Sequence, residues 1–497
     1  MRVAAFKHFV TQRKLIGTAI GLALCTAFSA CSYGEKSSNQ PDGNAAAEQS
    51  GITLDSKSEQ QIRDAIAEAP SHGLRPDLFL KGGEKGEALV QAGLKYASAL
   101  ANGYTDPTKL HEVYTIPRAK TDVRAGMQQA IQNGNVGEWL NSLAPQTEEY
   151  KALGQAFLSY AKQAAQADQQ PIPADKPIKP GARDARIPAI VAVLRSGGYL
   201  PPDPPSQQPN AGASDTYTPA LVAAVKQFQS DSGTKPDGVL GKATIGALST
   251  GPTFRARQLA VAMERLRWLQ RDPPKTRIDV NTAASFLDYW RDGQHVDHRK
   301  VINGEPDKPT PQLQAPMYRL VAKPTWRVPD GIAAKEVEDK GQAWLAENQF
   351  VQKDGHWVQE TGPKNSLGMV KFDMQDDEAI YLHDTPAKAV FGLDDRHRSH
   401  GCVRVEDAVG FATALAEQEG VLDQFQEAMQ GDDESFIKLP IQIPVRLLYQ
   451  TVFWDGSRIQ FRPDYYGWDE NIAKALELAP GPPQQIQQPE SSDDVGP

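Results

Sequence analysis

Cys402 lies in "HRSHGCVRVED", His397 to Asp407, and is one of only three cysteines in 497 residues. A thiol attacks a carbonyl carbon as the thiolate, and a free cysteine is only a few per cent ionised near neutral pH. A catalytic cysteine therefore needs a base in contact. The candidate base is His383, at the end of the strand-like "AIYLH". The glycine-containing loop "DTPAKAVFGLDDRHR" that follows is long enough to bring imidazole and thiol together. No local periodicity forces that contact, and free cysteine is also commonly a small buried hydrophobe, so residue types alone leave both roles open.

Around the thiol, Gly401 allows a tight turn, and the N–H groups from His400 to Cys402 are natural donors to the oxyanion of a tetrahedral intermediate. Ser399 and His400 fit loop-shaping roles. Arg404 suits either a substrate carboxylate or a structural ion pair, and His397 and Arg398 are expected to be solvated. His-x-x-x-His and His-x-x-Cys pairs are missing, so no metal site is expected. No Ser-x-x-Lys site with its companions and no phosphate-cradling glycine loop is present, so no cofactor is implied.

The elements that must position these residues are short β-prone runs bounded by Gly, Pro and Asp: "RIDVN", "MYRLVA", "MVKFDM", "AIYLHDT" and "IPVRLLYQTVFW". They predict a mainly β domain over 276–450. Within it, about 332–362 is longer and more helical than a strand connector needs, and is expected to cap the site. Upstream, 52–175 has helical spacing, as in Val90, Leu94, Ala97, Ala101 and in Tyr150, Leu153, Phe157, Ala161. The Pro-rich "QQPIPADKPIKPG" separates it from 183–249, which holds the helical stretches "RIPAIVAVLRSGGYL" and "TPALVAAVKQFQSDSG". A C-terminal extension over 451–478 and a disordered tail over 479–497 complete the chain. The expectation is a multi-domain α+β protein.

A chain of this length exceeds one hydrophobic core, and its net charge of −9 offers no basic field for nucleic acid. Residues 1–30 read as a signal peptide, with Arg2, Lys7, Arg13 and Lys14 before an apolar stretch from Leu15 to Phe28 that is too short for a comfortable membrane span. Its end, Phe28-Ser29-Ala30-Cys31, resembles a lipoprotein cleavage box with Cys31 as the lipidated residue. Residues 31–51 then read as a flexible tether to a membrane. Loss of Cys25 and lipidation of Cys31 would leave Cys402 without an intramolecular partner in an oxidising compartment.

"YLHDTP" and "SHGCVRVED" resemble the signature of the L,D-transpeptidase (YkuD-type) catalytic domain. "INGEPDKPTP", "PTWRVP" and "PKNSLGMVKF" support the resemblance. Ala224 to Gln229, Lys235 to Gly238 and Gly241 to Thr244 resemble a three-helix peptidoglycan-binding module. Their order resembles the large murein L,D-transpeptidase branch. The resemblance implies Cys402 as nucleophile and His383 as base, oriented by a backbone carbonyl rather than by Asp384 or Asp407. It also implies a motif loop of Ser399, His400, Gly401 and Arg404, with Arg404, Asn365 and Tyr381 as substrate contacts. The implied activity is cross-linking of third stem residues of peptidoglycan through a thioester, with release of D-alanine. The leader and Cys31 point to the periplasm, with anchoring at the outer membrane, or alternatively at the inner membrane or at none, and the resemblance implies sensitivity to acylating carbapenems. Hydrolysis of the same thioester, transfer to a wall protein, or a non-catalytic tether between membrane and wall are the alternatives.

Overall fold

Alternating burial builds the main sheet. In the computed structural model, which describes residues 51–165, 171–201 and 214–481, strands β1 (Arg277–Asn281), β2 (Phe286–Arg291), β3 (Gln294–Gly304) and β4 (Gln314–Ala322) open the β-rich region. An insertion follows, with β5 (Trp326–Arg327), β6 (Phe350–Lys353) and β7 (His356–Gln359). The sheet resumes with β8 (Val370–Met374), β9 (Leu382–His383), β10 (His397–Ser399), β11 (Val403–Val405) and β12 (Ser435–Leu448). The order is β10-β3-β11-β9-β8-β4-β12-β1-β2, and β2 also pairs with β3, so the sheet closes on itself.

One face is apolar. Leu320, Phe372, Leu382, Val403 and Val405 share a core with Phe411, Ala412 and Leu415 of the helix Ala408–Gln418 and Phe425 of the helix Leu422–Gln430. The opposite face carries the candidate chemistry, because neighbouring residues on a strand point to opposite sides.

The insertion has its own small core of Trp326, Val328, Ala333, Val337, Leu345, Phe350 and Leu367, against which Tyr381 packs. It is half sheet rather than mainly helical, and its core reaches beyond 332–362 at both ends. Two short helices, Asp330–Glu336 and Gln342–Glu347, precede a hairpin turned by Asp354 and Gly355, both with positive φ.

The helical body is not confined to 52–175. Its core joins helices Ser56–Ala67, Glu87–Asn102 and Glu148–Ala164 to Leu259, Met263 and Trp268 of the helix Pro252–Trp268. Residues Val452, Phe461, Ile472 and Leu476 complete it, so 451–478 is an integral wedge rather than an appended extension. This wedge comprises β13 (Val452–Trp454), β14 (Ile459–Phe461) and the helix Trp468–Ala475. A fully buried ion pair, Arg265 to Asp469 at 2.5 Å, fixes that helix to Pro252–Trp268.

Residues 183–249 contribute three described helices, Ile187–Ser196, Pro219–Asp231 and Lys242–Leu248, around Ile190, Leu194, Val225, Leu240 and Leu248. Buried Asp231 meets Arg458 at 2.5 Å and Gln460 at 3.2 Å, which joins this bundle to the C-terminal hairpin. The expected leader, Cys31 and nearly all of the tether lie outside the described residues, as does the tail from 482 onward.

Candidate active site

The register of three strands places the reactive groups on one face. Val403 lies opposite Leu382 and Arg404 opposite His383, while Lys371 lies opposite His383 from the other side. Alternation then sets Cys402, Arg404, Tyr381, His383 and Lys371 on the same side of the sheet.

His383 is fully buried, and its Nδ1 donates to the carbonyl oxygen of Asp384 at 2.5 Å. A carbonyl only accepts, so the ring proton sits on Nδ1 and Nε2 keeps a free lone pair. Among the described residues Nε2 has no hydrogen-bond partner. Burial, followed by the nearby Arg404 charge, holds this histidine well below its ordinary pKa, so it is neutral at neutral pH. The carboxylate of Asp384 is occupied elsewhere, by the Met369 N–H at 3.0 Å and by Lys388. Gly368 is required beside it, since a Cβ there would lie 2.4 Å from Asp384 Oδ2. Asp407 is also apart from the imidazole: it caps the helix Ala408–Gln418 and pairs with Arg299 at 2.7 Å.

Cys402 is 6% exposed, and burial pushes its thiol up to about 11. Its Sγ contacts the carbonyl of Ala379 at 3.9 Å, and the backbone and hydroxyl of Tyr381 lie against it. Thiol and imidazole thus share a face without being hydrogen-bonded to each other, a geometry that tightens in many enzymes only when substrate binds. Ala379, itself at positive φ, sits in a loop held by Asp376, whose Oδ1 accepts from the N–H groups of Glu378 and Ile380.

The motif loop is fastened from both ends. Ser399 Oγ donates to the Cys402 carbonyl at 2.6 Å and accepts from the Gly401 N–H at 3.3 Å. Gly401 has φ +121, a backbone that side chains rarely adopt. Thr310 Oγ1 donates to the Gly401 carbonyl at 2.8 Å and accepts from the Gly304 N–H at 2.9 Å. His400 reaches the insertion, its Nε2 lying 2.6 Å from Glu336 Oε1 in a close contact off the hydrogen-bond axis.

Two expectations change, those for Asn365 and His397. Asn365 is fully buried, its amide donating to the carbonyls of Pro324, Gln359 and Glu360 while its oxygen accepts from the Leu367 N–H. It clips the root of the insertion, with its amide N–H groups taken up by backbone carbonyls there. Arg404 is 1% exposed, opposite His383 on the same face, where its charge is felt by the imidazole. His397 is buried rather than solvated, with Nδ1 at Asp395, Nε2 at the Thr282 carbonyl and its ring stacked on Tyr465 at 3.9 Å. Sequence reasoning missed the contacts of Thr310, Asp376 and Glu336. Thr310 stood within the quoted "INGEPDKPTP", but its contact with Gly401 crosses too much chain to be visible there.

Comparison with known proteins matches residues 275–422 to the family described as "L,D-transpeptidase catalytic domain". Residues 53–157 match a "Scaffold domain" and 183–248 a "Putative peptidoglycan binding domain". A "Putative L,D-transpeptidase" of Haemophilus influenzae is 28% identical over 241 residues, 44% of this chain and 49% of that protein, so the chain spans about half of that relative's length. Two solved structures are more distantly similar. The catalytic domain of the Enterococcus faecium L,D-transpeptidase acylated by ertapenem has a TM-score of 0.21 at 15% identity, covering 36% of this chain and 99% of that one. L,D-transpeptidase 3 of Mycobacterium tuberculosis with a faropenem-derived adduct has a TM-score of 0.21 at 12% identity, covering 35% and 60%.

Proposed function

We propose, from the premise that residues 275–422 belong to the YkuD family of L,D-transpeptidase catalytic domains, that this chain cross-links peptidoglycan stem peptides through a thioester on Cys402. The observation that carries the proposal is the bare Nε2 of buried His383, its tautomer fixed by a backbone carbonyl, on the strand beside Cys402 and on the same face.

Because the resting thiol and imidazole are both neutral, the proton moves to Nε2 as the sulfur attacks. The target is the carbonyl on the L-centre of the diamino acid at the third stem position. The C–N bond to the terminal D-alanine breaks, and the imidazolium returns its proton to the leaving amine. The side-chain amine of a second stem then attacks the thioester, His383 takes its proton, and the thiolate leaves and is reprotonated. The oxyanion would face the N–H groups of His400 and Cys402, since that of Gly401 is turned to Ser399. No metal or organic cofactor takes part.

In this proposal residues 183–249 bind the wall, and a deletion of them should abolish co-sedimentation with it. The basic and then apolar leader exports the chain, and Cys31 carries the lipid that holds it at the outer membrane. Among the described residues no helix is long and apolar enough to cross a membrane.

The test is incubation of the purified ectodomain, wild type and Cys402→Ala, with disaccharide-tetrapeptide, followed by intact mass spectrometry. The expected product is a dimer formed with loss of D-alanine, absent from the variant. Hydrolysed stem without dimer would make the protein a hydrolase, and no turnover would favour a tether. A carbapenem should add its whole mass to Cys402, since β-lactam ring opening expels nothing.

A further inference from the structure

The hairpin of β2 and β3 gathers three metal-ligating side chains away from the thiol. Asp288 Oδ1 lies 2.8 Å from His295 Nε2 and 2.7 Å from His298 Nδ1. One ligand atom from each residue falls within 4.8 Å of the others.

On a regular strand His295 and His298, three residues apart, would point to opposite faces. They do not, because the register slips between Tyr289 and Trp290: Asp288 pairs with His298, but Trp290 pairs with His295. The extra residue on β3 turns both imidazoles outward over Asp288, while Leu287 and Tyr289 stay in the core. Bulges of this kind characteristically re-aim a side chain. Trp290 lies against His295, with ring centroids 5.1 Å apart, and Phe286 against His298, at 5.3 Å, so both rings are steadied.

We propose that Asp288, His295 and His298 form a site for a late first-row divalent ion, Zn2+ foremost, with three protein ligands and a fourth position open to water or an external donor. Imidazole and carboxylate suit such ions. Bonds of about 2.0–2.2 Å place tetrahedral ligands about 3.3–3.6 Å apart. The two nitrogens would therefore withdraw from the carboxylate by at least roughly half an ångström and converge on the ion. The proton that each ring nitrogen shares with Asp288 must leave it, to the other ring nitrogen or to water, before that nitrogen can bind the ion, an exchange that exposed His295 and His298 can make through water. No step touches Cys402.

The test is titration of the full chain with Zn2+ by calorimetry and with Co2+ by visible absorption. The expected result is one ion per chain, with d–d bands and no thiolate charge-transfer band, unchanged by Cys402→Ala. His295→Ala, His298→Ala and Asp288→Asn should each weaken binding at least about tenfold, since loss even of outer partners costs 10–100-fold. Deletion of Val296 should abolish binding although all three ligands remain. Equal affinity in wild type and the histidine variants, no binding by the wild type, or binding lost with Cys402→Ala would overturn the proposal.

Discussion

The histidine's protonation state is the property on which the proposed chemistry turns. Burial holds His383 neutral well below its ordinary pKa and raises Cys402 to about 11. Activity should therefore stay flat from neutral pH to below 6.5 and fall only when His383 protonates, checked by kcat/KM against pH. Iodoacetamide labelling of Cys402 should accelerate with pH up to about 11, with no plateau near neutrality, because no resting ion pair lowers the thiol. His383→Ala should cost roughly 10²–10⁴ in turnover. Thr310→Val would strand the buried Gly401 carbonyl, an expected destabilisation of about 1–3 kcal/mol, measurable by denaturant unfolding, with a matching loss of acylation rate.

At the scale of elements, the insertion touches the motif loop where Glu336 approaches His400. Glu336→Ala should speed hydrogen exchange across 326–367 and alkylation of Cys402 by up to about fivefold, since a partly exposed polar contact is worth about 1 kcal/mol at most. The sequence made the sheet legible where alternation was clean, as in "RIDVN", which forms β1 residue for residue. It misled in the insertion, where the Asp354-Gly355 pair in "VQKDGHWVQ" is a two-residue hairpin signal hidden within an apparently helical stretch. Motif residues such as Ser399 and Gly401 were readable because their chemistry is local. Asn365 was misread because its burial depends on chain ends meeting at the root of the insertion. The outward pair His295 and His298 was invisible because a bulge cannot be counted from spacing.

For the whole molecule, the wall-binding resemblance lay within the reach of sequence, but the joint through Asp231 and Arg458 did not, since it links segments more than 200 residues apart. Arg458→Ala should leave a buried carboxylate short of its cation, at a cost of up to about 3 kcal/mol. Small-angle scattering should then show the bundle released. Cross-linking of soluble stems should be unchanged while that of intact wall falls. The helical body carries a different consequence, one of timing. Its core needs Val452 and Ile472, which a ribosome makes long after Leu89 and Tyr150. A nascent chain therefore presents an unfinished apolar surface while the entire β domain is still being synthesised, and a stop codon after Gln450, sparing every candidate catalytic residue, should yield a protein that chaperones retain and proteases clear.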